Sequence, residues 1–313
     1  MRILVVGAGA VGGYFGACLA AAGRDVTFLV RERRAAQLRD LGLQVKSQND
    51  DFAIAPADLK LISAEQLAAS KSAYDLILLA TKAYALEAAM GDFAPAVGAN
   101  TAILPILNGM RHLDILSARF GGQHVLGGAS RIVSDLDPEG RVLHIEPWKD
   151  LAFGEVDKRV TPRIEAIAKT LHGAGFEDML MPDIVAFMWQ KWMLLASMAG
   201  LTCLLRGSIG EIARAPFGIE TEQAFLRETA AIATVSGYPP SDKSFAAVTA
   251  RLTDPESTLT ASMYRDLMKN SPVEADHILG DLLRRGNALG LPSPLLQAAY
   301  VALSVYSARQ PVQ

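Results

Sequence analysis

One glycine spacing constrains this chain more than any other feature. Residues Arg2 to Val6 read as a short apolar strand, Gly7-Ala8-Gly9-Ala10-Val11-Gly12 follows at once, and an Ala-rich helical pattern runs on to Ala22. This is G-x-G-x-x-G in the strand-to-helix setting where it has a mechanism. Gly7 allows the tight turn, Gly9 lets a pyrophosphate approach the backbone, and Gly12 lets the helix sit close to the strand. The loop residues Ala8, Ala10 and Val11 complete a helix N-terminus whose unpaired N–H groups and partial positive charge suit a phosphate. A second strand is expected over 25–30, as a βαβ unit requires. The sequence therefore predicts a dinucleotide site.

The residues after that second strand choose the dinucleotide. NAD sites usually carry Asp or Glu there. This chain has Val30-Arg31-Glu32-Arg33-Arg34. Arg31 suits a 2′-phosphate, because a guanidinium makes paired, charge-assisted hydrogen bonds. The expectation is NADPH, with Glu32 keeping an NAD reading open. At least one of Arg33 and Arg34 is expected to be an ordinary solvated helix residue.

A length of 313 residues suggests two domains. Half of the residues are hydrophobic and 20% are charged, enough for a large core and against disorder. A net charge of −3 offers no basic face to nucleic acid. Cys18 and Cys203 form no CxxC pair, and the five His residues are scattered. No metal is expected, and the thiols read as buried and reduced in a cytoplasmic protein. The apolar N-terminus fits a nucleotide loop better than a signal peptide. The apolar run 193–205 is too short by itself to span a bilayer, so no membrane partner is expected.

Strand patterns fall at 3–6, 26–30, 76–80, 101–107 and 125–133. They alternate with helical patterns at 12–22, 33–41, 64–69 and 86–95, which argues a mainly parallel, doubly wound sheet. Asp137-Pro138-Glu139-Gly140 is a turn signal, so an antiparallel hairpin should follow. A strand at 151–155, a helix at 163–172 and a strand at 176–181 complete this half. Beyond Pro182 the strand signals nearly vanish. Helices are expected at 184–205, 210–213, 221–236, 241–251, 258–267, 273–289 and 294–307. The reading is an α/β fold in two domains: residues 1–182 a Rossmann-type dinucleotide-binding domain, and 183–313 an all-α domain that binds substrate and closes over the sheet edge.

Reduction by a nicotinamide needs a substrate holder, stabilisation of a growing alkoxide and a proton source. Lys191, within Phe187-Met188-Trp189-Gln190-Lys191-Trp192, is a lysine among apolar neighbours. It would serve either as a proton donor with a movable pKa or as a snorkelling side chain. Ser271-Pro272-Val273-Glu274 is a capping box with Pro at the first helical position, so Glu274 reads first as a cap. Ser262 is an unremarkable helix serine by itself. Asn108-Gly109 after the strand at 101–107, and Lys82 after the strand at 76–80, sit where such sheets place either a plain turn or a ligand contact.

Taken in order, these pieces resemble the ketopantoate reductase (2-dehydropantoate 2-reductase) family over nearly the whole chain. The matching parts are Gly7-x-Gly9-x-x-Gly12, Arg31, Thr81-Lys82-Ala83-Tyr84, Asn108-Gly109-Met110, Trp189-x-Lys191, Ser262-Met263, and Glu274 leading into Leu282-Leu283-Arg284-Arg285-Gly286 and Gly290-Leu291-Pro292-x-Pro294. The resemblance implies NADPH-dependent reduction of ketopantoate to pantoate. Lys191 would be the catalytic lysine that protonates or stabilises the alkoxide, and Glu274 would sit beside it and hold the reacting hydroxyl. Ser262 would bind the substrate carboxylate. Asn108 would contact substrate and cofactor, Lys82 would lie near the nicotinamide and its ribose, and Arg31 would bind the 2′-phosphate. One departure stands out. Where the family usually carries Asn one and two turns after the lysine, this chain has Leu195 and Ala199, which cannot hydrogen-bond a polar substrate. A different small 2-oxo or 3-hydroxy acid is the alternative substrate, and a non-catalytic NADPH-binding module is the third reading. The expected partner is a small molecule, and exposed apolar surface on the helical half could pair two subunits as a homodimer.

Overall fold

The computed structural model describes residues 1–48 and 51–310. It divides into two units, one holding Met1–Leu107 and His112–Val185, the other holding Asn108–Arg111 and the chain from Ala186 onward.

The first unit begins with β1 (Arg2–Val6), α1 (Ala10–Ala21), β2 (Asp25–Leu29) and α2 (Glu32–Leu41). It continues with β3 (Leu43–Ser47), β4 (Phe52–Ile54), β5 (Lys60–Ile62), α3 (Ala64–Ser70), β6 (Leu76–Leu79), α4 (Leu86–Phe93), β7 (Ala102–Pro105) and α5 (Arg111–Phe120). β8 (Leu126–Leu136), β9 (Val142–Glu155), α6 (Pro162–Leu171) and β10 (Glu177–Leu180) complete it. A parallel sheet runs in the order β5-β2-β1-β6-β7, with Ile3 opposite both Val26 and Leu76. Ile3, Leu4, Val5 and all of Leu76–Leu79 are fully buried, as expected of inner strands in a parallel sheet covered on both faces.

The hairpin expected after Asp137 is present. β8 pairs antiparallel with β9, with a register shift between Ile132 and Ser134. The sequence reading missed what this hairpin joins. β9 also pairs in parallel with β10 and β3, and β3 pairs antiparallel with β4, making a second sheet. β3, β4 and β5 were not expected because they are short and half-exposed. β3 finds its partner about a hundred residues away, with Val45 opposite Val142. α5 was also missed, although Leu113 and Leu116 lie three apart on its buried side. Phe15 of α1 meets Phe176 edge-on at 5.0 Å in the core.

The second unit contains most of α7 (Ile184–Leu205), then α8 (Ile209–Arg214), α9 (Gly218–Val235), α10 (Asp242–Leu252) and α11 (Ser262–Met268). A π-helical turn at Asp276–Gly280 leads directly into α12 (Asp281–Ala288), and α13 (Pro294–Ala308) follows. α7 is 22 residues long and apolar enough by length and composition to cross a membrane, and 61% of its most apolar stretch is buried within the protein. The short apolar run in the sequence is thus the second half of a longer core helix. α11 starts four residues later than expected. The carbonyls of Ser257 and Leu259 are instead spent on Gly210 and Ile209, closing the N-terminus of α8.

Candidate functional site

The glycine turn takes the shape its spacing requires. Gly7 has φ +95° and donates its N–H to the Leu29 carbonyl at 3.3 Å. A Cβ on Gly12 would lie 2.0 Å from the Gly7 carbonyl oxygen, so no other residue fits there. Gly9 is the N-cap of α1 and brings no side chain to its N–H groups. The first N–H groups of α1, at Ala10 and Val11, have no acceptor one turn earlier in the helix, as at any helix start. The Thr81 hydroxyl beside this turn is buried without a hydrogen-bond partner among the described residues, and a Cβ on Gly7 would come within 3.3 Å of its methyl group. An uncapped helix start and an orphaned buried hydroxyl fit a bound dinucleotide, whose pyrophosphate would take the N–H groups.

Around this turn, Arg31 is the N-cap of α2 and is exposed at the end of β2. Lys82 follows β6, is exposed, and precedes the short turn at Ala83–Ala85. Arg34 is not solvated. Its Nε donates to the Ala8 carbonyl at 2.9 Å and its Nη1 to the Gly140 carbonyl at 2.7 Å. Cys18 and Cys203 are free and buried, and burial pushes their thiols up to about 11 and about 12. Protonated thiols of this kind are poor nucleophiles.

In the second unit, Lys191 lies on α7 and is half-buried. Its Nζ donates to Asn108 Oδ1 at 3.2 Å, across 83 positions of sequence. The helix beneath it is anchored by Trp192, whose Nε1 donates to the Ile278 carbonyl at 2.9 Å. Glu274 is 8% exposed and His277 is 7% exposed, three residues apart just before and within the π turn. Burial lowers the His277 pKa, and the Glu274 carboxylate opposes that shift. The His277 ring also hydrogen-bonds the Asn108 backbone. A Cβ on Gly109 would meet the His277 carbonyl oxygen at 2.9 Å, so this glycine allows the Asn108 turn to press on the π turn. Asp276 is held by Arg111, by Arg284 at 2.8 Å and by Tyr300 at 2.8 Å.

The four expected substrate-side residues thus share one unit. Asn108 and Lys191 touch, Glu274 lies within electrostatic reach of His277, and Ser262 opens α11 half-buried. The expected start of the Glu274 helix is displaced. Regular helix begins at Ala275, three residues after Pro272, and passes at once into the π turn. π turns cluster at functional sites, where they re-aim side chains. One turn and two turns after Lys191, Leu195 is half-buried and Ala199 fully buried. Sequence reasoning did not single out Thr81, Arg34 or His277 as site residues. A lone His and one Arg among three carry no local signal, and only their tertiary partners distinguish them. Among the described residues no group of three or more His, Cys, Asp or Glu could hold a metal ion.

Known proteins share the chain's sequence pattern and its fold. The pattern described as "Ketopantoate reductase PanE/ApbA" matches residues 3–158, and that of its C-terminal part matches residues 183–307. The chain belongs to the ketopantoate reductase family. Members are oxidoreductases acting on CH–OH groups. This ketopantoate reductase family protein is 34% identical over 314 residues to "Uncharacterized oxidoreductase YkpB" of Bacillus subtilis, covering 99% of this chain and all of that one. It is 28% identical to a solved 2-dehydropantoate 2-reductase of Geobacter metallireducens, with a TM-score of 0.87 over 97% of this chain and 99% of that one. A D-mandelate dehydrogenase solved with NADH and anilino(oxo)acetate shares the fold at 23% identity, with a TM-score of 0.86 over the full length of both chains.

Proposed function

We propose that this protein reduces a small 2-oxo acid with NADPH, and that ketopantoate is the first substrate to test. When bound, the dinucleotide supplies the hydride. The chain's own part is to bind, orient and protonate. The open N–H groups at the start of α1 take the pyrophosphate, and exposed Arg31 at the end of β2 takes the 2′-phosphate. Lys82 flanks the nicotinamide ribose. Lys191 stabilises the charge that grows on the carbonyl oxygen and gives that oxygen a proton. Asn108 Oδ1, 3.2 Å from Nζ, fixes the direction of the ammonium. Glu274 holds the new hydroxyl, and the Ser262 hydroxyl takes the substrate carboxylate. The observation that carries this reading is the Lys191–Asn108 hydrogen bond, in the same unit as a buried Glu274 and in a chain whose other unit presents an uncapped glycine turn. Residues 1–182 would be the cofactor domain, apart from the Asn108–Arg111 turn that belongs to the second unit, and 183–313 the catalytic one. The protein would work in the cytoplasm on a small-molecule substrate, as a homodimer.

A second substrate reading rests on Leu195 and Ala199. Neither can pair with a polar substrate group, so the site should favour an oxo or hydroxy acid with a less polar side chain. Loss of NADPH absorbance with ketopantoate, run beside NADH and a panel of oxo acids, tests both readings. Turnover of ketopantoate supports the first. Turnover only of acids lacking the pantoate 4-hydroxyl supports the second. Tight NADPH binding with no turnover of any oxo acid overturns both and leaves a non-catalytic binding module.

A further inference from the structure

Arg34 reaches the glycine turn from α2. Its Nε donates to the Ala8 carbonyl at 2.9 Å, and its Nη1 donates to the Gly140 carbonyl at 2.7 Å and to Gln37 Oε1 at 3.3 Å. Its Nη2 is buried and has no hydrogen-bond partner among the described residues. A desolvated guanidinium with an unmet donor is a poor device for stability, so its placement calls for another explanation.

Backbone geometry supplies one. The described residues contain no cis peptide bond. In a trans peptide the Ala8 carbonyl and the Gly9 N–H point to opposite sides. Holding the carbonyl on Arg34 therefore turns the Gly9 N–H away from α2. Gly9 is also open to its surroundings, since a Cβ there would meet nothing within 4 Å. The second anchor lies on the β8–β9 turn, so the guanidinium is fixed from two sides at once.

We propose that Arg34 is a positioning residue for the dinucleotide, locking the Ala8–Gly9 peptide so that the turn's N–H groups face the pyrophosphate. This rests on the dinucleotide reading above and adds a residue that acts through the backbone rather than on the 2′-phosphate. The two arginines of α2 and its cap then have separable signatures. The pyrophosphate is common to NADPH and NADH, so loss of Arg34 must weaken both alike, whereas loss of Arg31 must weaken NADPH alone.

The test is equilibrium binding of NADPH and NADH to the full-length apoprotein, followed by nicotinamide fluorescence or calorimetry. Arg34→Ala should weaken both cofactors by about 10- to 100-fold, as expected when the freed Ala8–Gly9 peptide no longer offers the Gly9 N–H as a charge-assisted hydrogen bond to the pyrophosphate. Arg34→Lys should recover only part of this, because an ammonium cannot span two carbonyls as a planar fork does. Gly140→Ala keeps the arginine and provides a second route if Arg34→Ala does not fold. Its Cβ would sit 2.7 Å from Arg34 Nη1 and push the guanidinium aside, so it should also weaken both cofactors. Folded Arg34→Ala protein that binds both within twofold of the parent overturns the inference. So does selective loss of NADPH, which would make Arg34 a direct phosphate reader. Failure of the parent itself to bind either nucleotide overturns the dinucleotide reading and this inference together.

Discussion

The glycine turn of the first unit is made from six consecutive residues, whereas the Lys191 cluster of the second is gathered from Asn108, Lys191 and the Glu274–His277 stretch. The turn works through backbone N–H groups and the space left by missing side chains. The cluster works through side chains, each placed by a different element. Backbone recognition is cheap to encode and tolerant of its neighbours. A side-chain cluster depends on every element that carries it, including the π turn that places His277 against Asn108. Substitutions should therefore separate binding from chemistry along the same division.

Lys191→Ala is the largest expected effect. It should lower kcat by roughly 10²–10⁴, the usual worth of a positioned proton donor, while the NADPH Kd stays at the parent value. Steady-state rates and fluorescence binding on one preparation check it. A kcat within threefold of the parent would remove Lys191 from the mechanism, and a large shift in Kd would erase the division itself.

Arg31→Ala comes next and acts on the other side. A hydrogen bond to a charged group is worth about 1.5–3 kcal/mol, so NADPH affinity should fall by about 10- to 100-fold with NADH nearly unchanged. Equal weakening of both nucleotides would show that Arg31 does not read the 2′-phosphate. Leu195→Asn should then move the ratio of kcat/KM towards hydroxylated oxo acids by about tenfold, one polar contact's worth. An unchanged ratio in a substrate panel would take Leu195 out of the specificity argument.

The smallest effect concerns stability alone. Glu222 of α9 is fully buried, both carboxyl oxygens lack a hydrogen-bond partner among the described residues, and burial pushes its pKa up to about 7. The folded chain then holds this proton to higher pH than the unfolded chain, whose carboxyl titrates near 4.5. The contribution to stability is whole below that lower value and is lost as pH rises through about 7. Glu222→Gln removes the titration and should raise Tm at pH 8 relative to the parent by roughly 2–4 °C, with little change at pH 4. Melting curves at the two pH values decide it, and parallel curves for parent and variant would show that Glu222 does not titrate in this window. Cofactor binding should not respond, since Glu222 belongs to the unit without the glycine turn.

What could be read before folding follows a physical rule. The G-x-G-x-x-G turn, the fully buried strands of the parallel sheet and the antiparallel hairpin after Asp137 were legible, because each is written in a few adjacent residues. The second sheet was not. β3 and β4 are short and half-exposed, and they exist because β9 offers them a distant edge. Lys191, Glu274, Ser262 and Asn108 looked bland one by one, and a capping box explained Glu274 well enough. Only their order along the chain, as a family resemblance, singled them out.

The chain by itself determined that a dinucleotide turn opens an α/β unit and that helices follow, since backbone conformation and apolar periodicity are local properties. Tertiary structure decided which side chains meet: Asn108 with Lys191, His277 with the Asn108 backbone, and Arg34 with Ala8 and Gly140. A hydrogen bond across 26 or 83 positions leaves no periodic trace, because its partners are chosen by packing in space and not by spacing along the chain.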